Sequence, residues 1–150
     1  MTDVLIQLSG ALCGSFGFAL LCNHKGANIA IASVGGALTW GIYLLGGIWL
    51  ESLFLLNLIA ACFAAVYSEI MARIRKTPAT AFLMTSIITL VPGGSLYYTL
   101  LYIIADDKTL SAAYALDTLL CAAGIAVGIV IVSVAIKPYI RITRRNSLLK

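Results

Sequence analysis

The chain has 150 residues, 61% of them hydrophobic and 11% charged, with a mean hydropathy of +1.02 and a formal net charge of +4 at pH 7. That balance excludes an ordinary soluble domain, and the length limits the chain to one compact unit. The positive charge does not require nucleic acid as a partner, because the basic residues gather in short clusters between long apolar runs, where a membrane protein carries its loops and meets anionic lipid.

About 20 apolar residues are needed to cross the hydrocarbon core, and the sequence predicts an all-α integral membrane protein with five such spans, near 4–22, 29–48, 52–72, 79–104 and 112–136. Residues 1–150 are predicted to form a single transmembrane domain, with 137–150 as a basic tail. The first span carries Asp3 where a leader would be basic and ends in no small-residue cleavage pattern, so it is predicted to stay as a helix. In the loop that follows, Asn23-His24-Lys25-Gly26, the single histidine is read as structural or solvated, since one His assembles neither a metal site nor a catalytic set. Gly35-Gly36 and Gly46-Gly47 lie in or beside apolar helices and so do not form a nucleotide loop. Cys13, Cys22, Cys62 and Cys121 lack ligand-like spacing and are read as small packing residues. Nothing in the sequence requires a cofactor.

The third span carries a small or polar stripe, Asn57, Ala61, Ala65, Ser68 and Ala72, that suits close helix packing. Glu69, one of two acids inside predicted spans, has Arg73 at i+4 and is expected to form a local ion pair, with proton coupling as its alternative use. The fourth span is the most informative. It is interrupted by Val91-Pro92-Gly93-Gly94, and a break that frees backbone groups survives in a membrane only where protein or a water-filled cavity surrounds it. Thr85, Ser86 and Thr89 before the break and Ser95, Tyr98, Thr99 and Tyr102 after it give this span a polar face. The free N–H groups at the start of its outer half, around Gly94, Ser95 and Leu96, can hold a carboxylate. Thr89, Pro92, Gly93, Gly94, Ser95, Tyr98 and Thr99 are therefore the candidate binding residues for a small carboxylate-bearing solute.

The last span holds Asp117, on one helical face with Ala113, Cys121, Gly124 and Gly128. A carboxylate at a span centre costs on the order of 3 kcal/mol, and the GxxxG of Gly124 and Gly128 directs that face into a bundle. Counting ~1.5 Å per residue places Asp117 and Pro92 at similar depth, so the two are expected to share a cavity in which Asp117 takes up a proton or orients a cationic group, the alternative being a protonated Asp117 hydrogen-bonded within a packed helix interface. Gly10 and Gly14 form a second GxxxG, usable within the chain or in a homo-oligomer.

Five spans put nine of the ten basic residues on one side, with Lys108 alone opposite. The positive-inside rule then predicts an outer amino terminus and a cytoplasmic carboxyl terminus. The alternative, a re-entrant hairpin at Pro92, would export the tail charges.

Residues 69–97, EIMARIRKTPATAFLMTSIITLVPGGSLY, resemble the smaller membrane domain of the threonine/serine exporter family. The resemblance rests on Glu69, Ala72, Arg73 and Pro78 followed by the Leu90 to Gly93 break, and extends loosely over the five-span layout. It implies a subunit for secondary export of threonine, serine or related carboxylates, driven by the proton gradient, in a bacterial inner membrane. It also implies a larger membrane subunit of the same exporter as partner. A non-transporting assembly subunit is the alternative, and it leaves the Pro92 break and Asp117 without a role. No nucleophile and base, metal set or nucleotide loop can be assembled, so the chain is not read as an enzyme.

Overall fold

The computed structural model describes the backbone of residues 2–147 and the side chains of residues 3–135. Its helices are α1 (Thr2–Leu21), α2 (Ala27–Gly46), α3 (Leu53–Arg75), α4 (Ala79–Ile87), α5 (Gly93–Ile104) and α6 (Lys108–Ser147), with a 3-10 turn, Ile88–Leu90, closing α4. No strand occurs among the described residues. α1, α2, α3 and Lys108–Ala135 of α6 are each long and apolar enough to cross a membrane, and the bent pair α4–α5 is so together. The chain is an all-α, multi-pass membrane protein. The side chains of Lys137, Arg141, Arg144, Arg145 and Lys150 in the basic tail lie outside the described residues.

Three helices end alike. Asn23, Lys76 and Asp106 each take a left-handed φ of 57°, 52° and 56°, and the next N–H reaches back five residues, His24 to Ala19, Thr77 to Ala72 and Asp107 to Tyr102. This closure satisfies the last carbonyls and turns the chain within a few residues. Asn and Asp tolerate the conformation better than other non-glycine residues, so Lys76 is the costliest of the three.

Asp107 then starts α6. Its Oδ1 accepts from Thr109 Oγ1 at 2.7 Å and from the Leu110 N–H at 3.1 Å. The Thr109 hydroxyl first, and the Leu110 N–H after it, hold the Asp107 carboxyl below its ordinary range. A lowered acid stabilises the fold above its unfolded value, near 4, and that contribution is lost as pH falls through the folded value. The melting temperature of Asp107→Ala in detergent should therefore lie below wild type at pH 7, with the gap narrowing toward pH 3. A constant gap would mean that the cap does not depend on the charge.

α3 is the centre of the packing and touches α2, α4 and α6, while α1 packs on α2 and α5 on α6. The interior is small: Ala19, Ala32 and Ala72 surround Phe82 in one cluster, and Ala60 and Ala61 meet Leu90 in another. Large apolar side chains, among them Leu5, Ile59, Leu100, Leu119 and Val130, point outward. Small residues within and large ones outside are what helices in lipid require, since backbones there gain most by close approach. The closest approach is between α3 and α6. A Cβ on Gly124 would lie 2.5 Å from the Phe54 carbonyl oxygen, and one on Gly128 2.7 Å from that of Leu58. The Gly124–Gly128 GxxxG is thus used inside the chain. Gly10, Gly14 and Gly17 on α1 meet nothing within 4 Å.

Candidate functional site

α4 tightens into the 3-10 turn, where the Val91 N–H reaches Ile88 O at 3.4 Å, and the chain then leaves helical geometry at Val91 (ψ 124°) and Pro92 (ψ 57°). The two half-helices are bent by 50°. Pro92, which has no N–H to give, becomes the residue before α5, and its carbonyl accepts from Leu96 at 3.1 Å. Gly93 and Gly94 are not in the break, as the sequence alone suggests, but in the first turn of α5, where the leading N–H groups lack helical acceptors in any case. Both are exposed, and a Cβ on either meets nothing within 4 Å.

The two halves of the broken span face different neighbours. On the α4 side, Thr85 and Ser86 are fully buried, and Thr89 Oγ1 donates to the carbonyls of Ser86 at 3.2 Å and, across the interface, Gly36 at 3.4 Å. On the other side α5 rests on α6. The rings of Tyr98 and Tyr102 stack on Tyr114 at 5.2 and 5.6 Å, and Ser111 Oγ donates to the Thr99 carbonyl at 3.3 Å. Thr99 Oγ1 bonds back to Ser95 O at 2.8 Å, and Ser95 is half-buried. Asp117 is half-buried one turn below Tyr114, on the face whose Cys121 lies beside Tyr43 of α2 and Asn57 of α3 and whose glycines meet α3.

Glu69 and Arg73 approach to 4.0 Å, both partly exposed, in the one ion pair among the described residues. All four cysteines are free, Cys121 buried and Cys13 and Cys22 exposed. No group of three or more His, Cys, Asp or Glu side chains is placed to hold a metal among the described residues.

Several residues gain a role that the sequence reading did not give them. His24 is half-buried: its ring packs on Phe82 at 5.4 Å, and Nε2 lies 3.3 Å from the Ala81 carbonyl oxygen and 3.4 Å from Thr85 Oγ1. It ties the α1–α2 loop to the start of α4. Gly35 and Gly36 allow α2 to meet its neighbours. A Cβ on Gly35 would fall 2.6 Å from Ser86 Oγ, and one on Gly36 would collide with Ser15 Oγ. Tyr67 of α3 donates to the Ile31 carbonyl at 2.8 Å beside them. The signal was present as Ser33, Gly36 and Trp40, a small and polar face at helical spacing, but a Gly-Gly pair in an apolar helix names no partner.

An open-sided cavity of about 590 Å³ runs along the glycine face of α1, bounded by Gly10, Gly14, Gly17 and Phe18, with Trp40 of α2 and Thr89 at the break also lining it. It connects the candidate residue Thr89 to the α1 face whose glycines meet nothing within 4 Å. Asp117 and the α5 residues do not line it.

No curated protein and no solved structure matches the chain. The family described as "Threonine/Serine exporter, ThrE" matches residues 7–135, from the first turns of α1 through the break and Asp117 to the end of the membrane-crossing part of α6. With residues 7–135 matched, most of its length, the chain belongs to the threonine/serine exporter ThrE family, a multi-pass membrane protein with an exporter-type transport role.

Proposed function

We propose that this chain is the smaller subunit of a proton-coupled secondary exporter for threonine, serine or related small carboxylates, acting with a larger membrane subunit of the same family. The observation that carries the reading is the break itself. Val91, Gly93 and Gly94 are exposed on the isolated chain, yet irregular backbone at membrane depth needs protein or water against it. A partner supplies that cover.

The bend also bears on topology. Twelve residues on either side of Val91-Pro92, turned by 50°, advance roughly 30 Å along the first axis, about one hydrocarbon thickness. A re-entrant hairpin would need a much sharper reversal. The broken span then crosses, which favours an outer amino terminus and a cytoplasmic carboxyl terminus in a bacterial inner membrane. In this reading the broken span borders the solute path and Asp117 exchanges the proton, with Glu69 in the ion pair to Arg73.

The test is efflux from liposomes loaded with L-threonine, L-serine or a dicarboxylate, carrying this chain with and without the larger subunit, under an inward proton gradient. Efflux with both chains and none with either alone is the expected result. Efflux from this chain alone would replace the partner with a homo-oligomer. No efflux in any arrangement would leave an assembly subunit as the better reading.

A further inference from the structure

Buried polar atoms without partners are few in folded proteins, and each one asks for an explanation. Among the described residues there are four such side-chain atoms; two of them, Ser15 Oγ of α1 and Ser86 Oγ of α4, lie at the Gly35-Gly36 crossing of α2, and a third, Trp40 Nε1, belongs to α2 one turn beyond. Ser15 and Ser86 are fully buried. Other buried hydroxyls nearby are satisfied by their own helices, Ser33 to Ile29 O at 2.7 Å and Thr39 to Gly35 O at 2.8 Å. The orphans are therefore a local exception.

Their surroundings are specific. Gly35 and Gly36 are the residues whose missing side chains make room for the two serine hydroxyls. Trp40 lies one turn beyond Gly36 on α2, and Thr89 one turn beyond Ser86, with its hydroxyl 3.4 Å from Gly36 O. Trp40 and Thr89 both line the 590 Å³ cavity along α1. That volume falls in the range of small-molecule sites. Gly36 lies near the middle of α2 and Ser15 in the inner part of α1, the depth at which transporters place their solutes. An indole N–H can only donate, and a free hydroxyl can donate, so the missing partner is rich in acceptors.

We infer that Ser15, Trp40 and Ser86, reached from the α1 cavity past Thr89, form a site for the solute carboxylate, closed in this structure and opened when α4 moves away from the Gly35-Gly36 crossing. The inference rests on the exporter reading and deepens it. It places carboxylate recognition on the α4 side of the break, on neutral donors, instead of at the start of α5.

The test uses the full chain with its partner in membranes. Ser15→Ala and Ser86→Ala should melt at or above the wild-type temperature, because neither loses a hydrogen bond within the protein. Each should nevertheless raise the L-threonine concentration for half-maximal efflux about tenfold, as loss of a bond to a charged group does. In a cysteine-free background, Ser15→Cys and Ser86→Cys should react with a hydrophilic thiol reagent, and L-threonine should slow that reaction several-fold. Unchanged half-maximal concentrations in both alanine variants, with wild-type efflux present, would overturn the site and leave the exporter reading standing. Protection at Thr99→Cys in place of the serines would move recognition to α5. Absence of both efflux and protection would remove the site and the exporter reading together.

Discussion

Gly128→Leu should lower the stability of the isolated chain by about 3 kcal/mol, at the upper end of what overpacking costs in a well-filled interior. The reason is that the obstacle is backbone. A Cβ there lies 2.7 Å from the Leu58 carbonyl oxygen and 3.0 Å from Ala61 Cβ, so no side-chain rotation relieves it and α6 must leave α3. Gly124→Leu meets the Phe54 carbonyl oxygen at 2.5 Å and should behave alike. Gly10→Leu provides the control: it carries the same change in the same motif, but nothing lies within 4 Å, and the isolated chain should unfold as wild type does. Unfolding in mixed micelles by titration with a denaturing detergent reads all three. Equal loss in all three would mean that glycine replacement acts through helix propensity or the micelle, and the packing argument would fail. If the larger subunit docks on α1, Gly10→Leu should instead prevent co-purification of the two chains.

Asp117→Asn should abolish proton-driven accumulation while leaving solute exchange without a gradient in place. One pH unit is worth about 1.4 kcal/mol, so coupling to a single proton sustains about a tenfold concentration ratio per unit, and an uncoupled variant sustains none. The amide keeps the size of the carboxyl, so the α3–α6 packing around Cys121 and Gly124 is retained and the loss can be assigned to the proton. The titratable groups beside Asp117 on its own helix are Tyr114 and Cys121. Asn57 of α3 lies beside Cys121, one turn below, and the tyrosines Tyr98 and Tyr102 of α5 lie a turn above. None is a base that could substitute. The quantity to measure is the steady-state threonine ratio across liposomes at two imposed pH differences. A variant whose ratio still follows the gradient would rule out Asp117 as the coupling group.

Much of the architecture was legible because hydropathy has a length scale. Five apolar runs separated by short charged loops gave five spans, and the first four begin and end within a few residues of those limits because turn residues such as Asn23 and Asp106 have few alternatives, whereas α6 starts four residues early and continues as helix to Ser147, eleven residues into the stretch read as a tail. Pro92 announced the break for the same reason, as a residue without an N–H interrupts a helix wherever it stands. What could not be read was direction across space. The hydroxyls of the fourth span look like one face on a helical wheel, but a 3-10 turn and a 50° bend separate them, so Thr89 meets α2 while Tyr98 meets α6. His24 looked like a loop residue because it is one, and its contact with α4 depends on a carbonyl 57 positions away. Ser15 was invisible, since a lone serine in an apolar span is ordinary until the absence of any acceptor near it is known, and Ser86 was read only as part of the polar face of the fourth span.

The junction at Gly36 has a consequence for how the chain is made. α1 and α2 leave the ribosome before α4, and Ser86, which seals their shared polar face, follows Gly36 by about fifty residues. At ordinary rates of synthesis the delay is on the order of 3–10 seconds. During that interval the newborn pair holds its hydroxyls and indole in the membrane with no fourth helix to cover them. Insertion machinery, water or an early-arriving companion must shelter that face, so the least protected moment in the life of this protein comes before its synthesis is finished.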